Sequence, residues 1–137
     1  DYRLKENGTY SWDVTTRLKQ LKPARFNWIK DETNTLVDGF IAHEVTAVPE
    51  AVSGTKDATE TKNNVVLDNE GNMLHHSITE AEWTAGKEET PPKYPTNSTW
   101  QASKEFIIPQ QIDQAKLVPL LAKALQELEA RVTTLEG

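Results

Sequence analysis

Side chains of types that could carry out acid–base chemistry occur at three places in this sequence. Lys5 lies near the start of the chain, His43 and Glu44 are adjacent, and His75 stands beside His76. A lysine acts as a general base only when its amine is neutral, and burial can lower its reference pKa of ~10.4 by up to ~3–5. Taken alone, Lys5 would be a solvated surface residue, so any chemistry there depends on its surroundings.

The composition excludes several other kinds of site. The 137 residues include no cysteine, which rules out disulfides and thiolate chemistry. His75 and His76 would point to opposite faces of a strand with no second ligand cluster nearby, so no metal site is expected. No phosphate-binding glycine loop or cofactor fingerprint is present, and we expect no cofactor. The net charge of −6 argues against nucleic acid as a partner, and no apolar run approaches the ~20 residues of a membrane span.

Local patterns in the first part of the chain predict short helices and a hairpin. Asp13 is predicted to cap a helix that ends before Pro23, and the basic residues there are interpreted as a solvated helix face. Residues 25–30 and 36–40 are predicted as the two strands of a hairpin. Apolar side chains recur at helical spacing within residues 41–48, which predicts a second short helix.

The middle of the chain is predicted to be less regular. Residues 53–64 are polar and predicted to form a loop, and residues 68–72 are predicted to be the turn of a second hairpin. Thr79 and Glu82 have the spacing of a capping box, which indicates a helical turn. Residues 86–99 contain three prolines and predict an irregular, protruding segment.

The strongest periodicity lies in the final helix, predicted over residues 116–136 and preceded by a turn. Its apolar residues are spaced three and four apart in alternation, the pattern of a coiled coil. Arg131 at position g and Glu136 at position e would be able to pair between chains. An amphipathic helix packed on its own domain stays an open alternative, and valine at a with leucine at d favours a dimer. Positions a are Val118, Leu125 and Val132, and positions d are Leu121, Leu128 and Leu135.

Three features in this order resemble a known family. The chain opens Asp1-Tyr2-Arg3-Leu4-Lys5, continues with Gly39-Phe40-Ile41-Ala42-His43-Glu44-Val45 and Pro49-Glu50-Ala51-Val52, and ends in the heptad helix. This combination resembles the C-terminal intramolecular chaperone domain of bacteriophage tail fibres and endosialidase tailspikes, a family of auto-processing peptidases.

The resemblance implies a specific chemistry at the N-terminus. In the family a serine immediately precedes the segment that Asp1 begins, and the chain is cut just before that serine. Lys5 matches the catalytic lysine of the resulting Ser-Lys dyad, a single-turnover self-cleaving serine endopeptidase. Asp1, His43, Glu44 and Arg25 are candidates for supporting the active site. Because the chain starts at Asp1, we expect it to be the inactive released product.

The resemblance also implies an assembly. It predicts an α+β fold with a trimeric coiled coil, in which residues 1–111 form the chaperone and protease core and residues 112–137 the helix, as one structural unit. A protruding segment is expected at about residues 53–104. The predicted partners are two further copies and an upstream fibre segment of the same polypeptide, with no nucleic acid and no membrane. The expected location is the host bacterial cytoplasm during phage assembly, followed by release from the mature virion.

Two other functions remain open from the sequence. The first is a permanent trimeric tip of a fibre that is never cleaved. The second is a nucleic-acid-binding module, since related self-cleaving domains occur in membrane-tethered transcription factors, although the net acidity counts against contact with DNA.

Overall fold

A computed structural model describes residues 1–137, with the exception of the Tyr2 side chain. It confirms the predicted α+β class, with three α-helices and three antiparallel sheets among the described residues. The chain divides into two compact units, the first comprising Asp1–Lys56 and Gln110–Gly137 and the second Asp57–Pro109. In chain order the elements are α1 (Thr15–Gln20), β1 (Ala24–Phe26), β2 (Val37–Gly39), β3 (Val52–Ser53), β4 (Thr59–Leu67), β5 (Met73–His75), α2 (Glu80–Glu88), β6 (Thr99–Ile107), β7 (Gln111–Ile112) and α3 (Val118–Glu136).

The core of the first unit is gathered from three distant stretches of the chain. The residue before α1, the segment leading to β3 and the start of α3 all contribute side chains that are at most 5% exposed. The short antiparallel pair of β3 and β7 closes this unit, since it joins the two stretches that make up the unit. The buried residues are Val14, Val45, Ala47, Val48, Ala51, Leu117 and Leu120.

Arg17 ties α1 to this core. Its guanidinium lies 5.4 Å from the centre of the Trp12 ring, and its Nε donates a hydrogen bond to the Ala47 carbonyl at 2.9 Å. The interpretation of this basic stretch as a solvated helix face is therefore wrong for Arg17. The predicted cap is displaced by one residue: α1 begins at Thr15, and Asp13 Oδ1 accepts a hydrogen bond from Thr16 N at 3.3 Å.

The first predicted hairpin is confirmed, with shorter strands. β1 and β2 pair antiparallel, and Arg25 lies opposite Asp38. Past the end of β1, Trp28 contacts Phe26 edge to face at 5.5 Å between ring centres. Asn34, in the turn, has a φ of 52°, a left-handed conformation that asparagine tolerates better than most residues.

The predicted helix over residues 41–48 is wrong. The structure has only a single 3-10 turn at Ala42–Glu44 and another at Pro49–Ala51. Val45, Ala47 and Val48 are all buried. A helix could not bury these side chains from one face, because neighbouring positions differ by about 100° around its axis. An irregular backbone lets all three enter the core.

The second unit is built on a three-stranded sheet with β4 in the centre, in the order β5-β4-β6. The predicted hairpin of β4 and β5 is confirmed, and Asp68 holds its turn by accepting from Glu70 N at 2.9 Å and Asn72 N at 2.8 Å. The predicted loop over residues 53–64 is wrong from Thr59 onwards. There β4 pairs with β6, although its side chains are mostly exposed.

The buried hydrophobic side chains of the second unit are residues 65–67 of β4 and Tyr94, and two half-buried tryptophans have satisfied indole N–H groups. Tyr94 is 1% exposed, Trp83 Nε1 donates to Ser98 Oγ at 3.0 Å, and Trp100 Nε1 donates to the Ile78 carbonyl at 2.7 Å. The backbone between α2 and β6 is irregular, as predicted for most of residues 86–99, but residues 86–88 belong to α2 and Thr99 begins β6. The predicted protrusion is wrong for Tyr94 and Ser98, which are buried.

The predicted capping box begins α2. Thr79 Oγ1 accepts from Glu82 N at 3.2 Å, and Glu82 Oε2 accepts from Thr79 N at 2.8 Å. The bond from Thr79 N, and after it the bond that the Thr79 hydroxyl donates to Glu82 Oε2 at 2.8 Å, lower the pKa of the Glu82 carboxyl because they favour its charged form.

Candidate association face

α3 carries two apolar faces. Leu120 near its start is buried, as is Leu117 just before it, and Ala124 packs against the same core. The helix is thus held to the first unit by a set of residues that does not include the predicted heptad positions. The predicted a and d residues form a second face, here called the heptad stripe, and are 42–87% exposed: Val118, Leu121, Leu125, Leu128, Val132 and Leu135.

An apolar groove runs between α1 and α3 beside the heptad stripe. We call it the α1–α3 groove; it encloses about 390 Å³. Its lining is mostly apolar, and its charged residues are Lys19, Glu127 and Arg131. The lining residues are Val14, Thr15, Leu18 and Lys19 from α1 and its N-terminal end, and Leu121, Ala124, Leu125, Glu127, Leu128 and Arg131 from α3.

The contribution of α1 to this surface was not predicted from the sequence. Leu18 is 38% exposed, and Lys19 is exposed at the groove. The helical spacing of Val14 and Leu18 indicated only which side of α1 is apolar. The packing of that side next to α3 depends on a contact across about a hundred residues, which no local pattern encodes.

The N-terminal segment folds back on itself locally. The Asp1 carboxylate pairs with the Arg3 guanidinium, and it also accepts a hydrogen bond from Arg3 N at 2.9 Å. Lys5 is exposed and follows a single 3-10 turn, Tyr2–Leu4. Leu4, next to it, is 87% exposed. The candidate catalytic lysine thus lies on an open segment of this single chain.

The other candidate supporting residues make separate local contacts. Arg25 Nε donates to Asp38 Oδ1 at 2.7 Å across the hairpin, and this charged hydrogen bond lowers the pKa of Asp38. Glu44 lies 3.5 Å from Lys22 Nζ, whereas His43 is exposed on the same 3-10 turn. The structure therefore brings Asp1 to Arg3, Arg25 to Asp38 and Glu44 to Lys22, and catalytic roles for these residues stay predictions.

The described residues include neither a candidate metal site nor a membrane-spanning helix. No group of three histidine, aspartate or glutamate side chains there is placed to hold a metal ion. No described helix combines the length and apolar character needed to cross a membrane.

The chain matches no protein-family model, and neither a curated protein nor a solved structure is significantly similar to it.

Proposed function

We propose that this chain is an intramolecular chaperone domain from the C-terminus of a bacteriophage tail fibre or tailspike. It trimerises through the heptad stripe, aligns the upstream fibre strands, and then releases itself by cleavage before a serine that precedes Asp1. The exposure of the heptad stripe carries this proposal. An apolar face of about five helical turns in such a polar chain is expected to be covered by partner chains.

Trimerisation would help the fibre to fold because it raises the local concentration of the strands that must pair. Long-range β pairing is slow, since the chain loses loop entropy before the contacts form. Tethering three copies makes the next step intramolecular. After release, the fibre is kept folded by its own unfolding barrier. These events belong to the host cytoplasm during assembly, and the released domain is absent from the mature virion.

The proposed cleavage uses the Lys5 amine as the general base. The neutral amine takes the proton of the serine hydroxyl, and the alkoxide attacks the carbonyl carbon of the preceding peptide bond. The ammonium returns the proton to the serine nitrogen as the C–N bond breaks, and water hydrolyses the resulting ester. Burial favours a neutral lysine. Packing of Lys5 against neighbouring copies would therefore couple cleavage to assembly.

The test uses a longer chain that carries the preceding serine and a stretch of upstream fibre. Intact mass and N-terminal sequencing are compared for this parent, for a variant with that serine changed to alanine, and for Lys5→Ala. Lys5→Arg is the matched control, because it keeps the positive charge but cannot supply a neutral base. We expect the parent to split before the serine and all three variants to stay whole.

A permanent fibre tip is the competing function, because the heptad stripe would serve it equally well. A parent chain that stays whole while it forms a stable trimer would overturn the protease proposal and establish the tip. A low-salt gel-shift assay tests the nucleic-acid-binding alternative, for which we expect no shift at a net charge of −6.

A further inference from the structure

The α1–α3 groove lies on one particular side of the heptad stripe. Its α3 residues include Ala124 and Arg131, which occupy position g, together with stripe residues at positions a and d. Lys19 adds a second positive charge from α1, and the acidic residue of the lining, Glu127, lies 4.0 Å from Lys123 Nζ on its own helix. The groove therefore extends the g side of the stripe outward onto another helix of the same chain.

The opposite side of the stripe has complementary properties. In a parallel coiled coil, the g side of each helix faces the e side of its neighbour. Position e holds Ala122, Glu129 and Glu136. Within the length of α3 that lines the groove, Leu121 to Arg131, Glu129 is the charged residue at position e. Ala122 is small enough to leave room for a further helix beside it.

We propose that the α1–α3 groove of each copy receives the e side of α3 from the next copy, so that α1 belongs to the subunit interface. Leu18 would pack near Ala122 of the next copy and Lys19 would face Glu129 of that copy, while Arg131 at position g would reach Glu136 at the following position e. In a single copy Glu129 accepts a hydrogen bond from the Thr133 hydroxyl at 3.2 Å on the exposed helix surface. On association, the ion pair with Lys19 of the neighbouring copy would replace this hydrogen bond.

This inference rests on the proposed self-association and specifies its geometry. The contact is head to tail, because the groove of one copy meets a different surface of the next. Such contacts close into a ring when the rotation fits, here a threefold.

Disulfide trapping tests the contact directly, because the chain has no cysteine of its own. Leu18→Cys and Ala122→Cys are combined in one chain, oxidised, and run on a non-reducing gel. We expect covalent trimers, since each copy links to the next. The pair Leu18→Cys and Ala130→Cys is the control and should stay monomeric on the gel, because Ala130 occupies position f, away from the stripe.

Charge exchange is the second measurement, made by sedimentation equilibrium. Lys19→Glu and Glu129→Lys should each weaken trimerisation about tenfold, as expected for three exposed pairs of about 0.5 kcal/mol, and the double variant should restore it. Trimers that neither cross-link nor respond to Lys19→Glu would overturn this inference and leave the proposed trimer intact. A chain that stays monomeric at all concentrations would overturn both.

Discussion

Shortening Leu125 to alanine should weaken association without unfolding the domain. Leu125 sits in the middle of the heptad stripe and is 67% exposed in a single copy. Full burial of a leucine side chain is worth about 1.5–3 kcal/mol, so about 1–2 kcal/mol remains to be gained per copy on association. Over three copies this is about 3–6 kcal/mol, or a factor of about 10² to 10⁴ in the association constant.

Two control variants separate this effect from a general loss of stability. Gln126→Ala changes the adjacent exposed residue off the stripe and should leave the association constant unchanged. Leu120→Ala changes a residue that is 2% exposed and should lower the free energy of unfolding by about 2–5 kcal/mol. Leu125→Ala should change the free energy of unfolding of the separate copy by no more than about 0.5 kcal/mol.

Sedimentation equilibrium gives the association constants, and urea unfolding at low concentration gives the stability of the separate copy. The reasoning is refuted if Leu125→Ala associates as tightly as the parent chain. It is also refuted if Leu125→Ala destabilises the separate copy as much as Leu120→Ala, because the stripe would then be part of the monomer core.

Three further predictions concern the second unit. Gly86→Ala should lower its stability by about 1–3 kcal/mol, because the added Cβ would lie 2.6 Å from the Tyr94 ring, whereas Gly8→Ala, with no atom within 4 Å, should be neutral in urea unfolding. Thr79→Ala removes the capping box of α2 and should cost about 0.5–2 kcal/mol in the same assay. The lowered pKa of Glu82 stabilises the unit above the unfolded value of about 4.3, and this contribution should be lost as the pH falls through the folded value. Stability measured against pH should therefore fall less steeply at acid pH in Glu82→Gln, which removes the titrating carboxyl; an unchanged slope would contradict this contribution of Glu82.

The sequence predicted best those features that neighbouring residues determine. The capping box needs only Thr79 and Glu82, three residues apart, and the turn at residues 68–72 needs only its own polar side chains. The exposure of the heptad stripe also agrees with its spacing, since α3 uses other residues to pack on its core. Such signals are local, so tertiary contacts do not need to be known.

The errors came from elements that distant contacts determine. Residues 41–48 have apolar side chains at helical spacing, but Val45, Ala47 and Val48 are all buried in the core. A helix could not bury all three from one face, so the backbone there is irregular. The first half of β4 is polar and shows no alternation, because both of its faces are largely exposed. Backbone hydrogen bonds to β6 hold it extended, and such pairing cannot be predicted from the types of its side chains.

The candidate site divides in the same way. The spacing of the heptad residues was enough to predict the heptad stripe. The α1–α3 groove could not be predicted in this way, because it forms only when Leu18 and Lys19 lie beside α3 in the folded chain. The proposed role of Lys5 depends on the resemblance of the N-terminal segment, because nothing in its local sequence distinguishes it from a surface lysine.

The anchoring of α3 by Leu117, Leu120 and Ala124 has a consequence for how quickly copies can meet. A free peptide with the 19 residues of α3 would be marginally helical in water, and ordering each residue costs about 1–2 kcal/mol of backbone entropy. In this chain the folded core has already ordered the start of the helix. In the proposed trimer the first half of the heptad stripe is therefore preorganised, and part of the entropy loss of helix formation falls on domain folding rather than on association. Encounters between copies then begin on a surface that already exists, so the rate of assembly should follow the rate of collision more than the rate of helix formation.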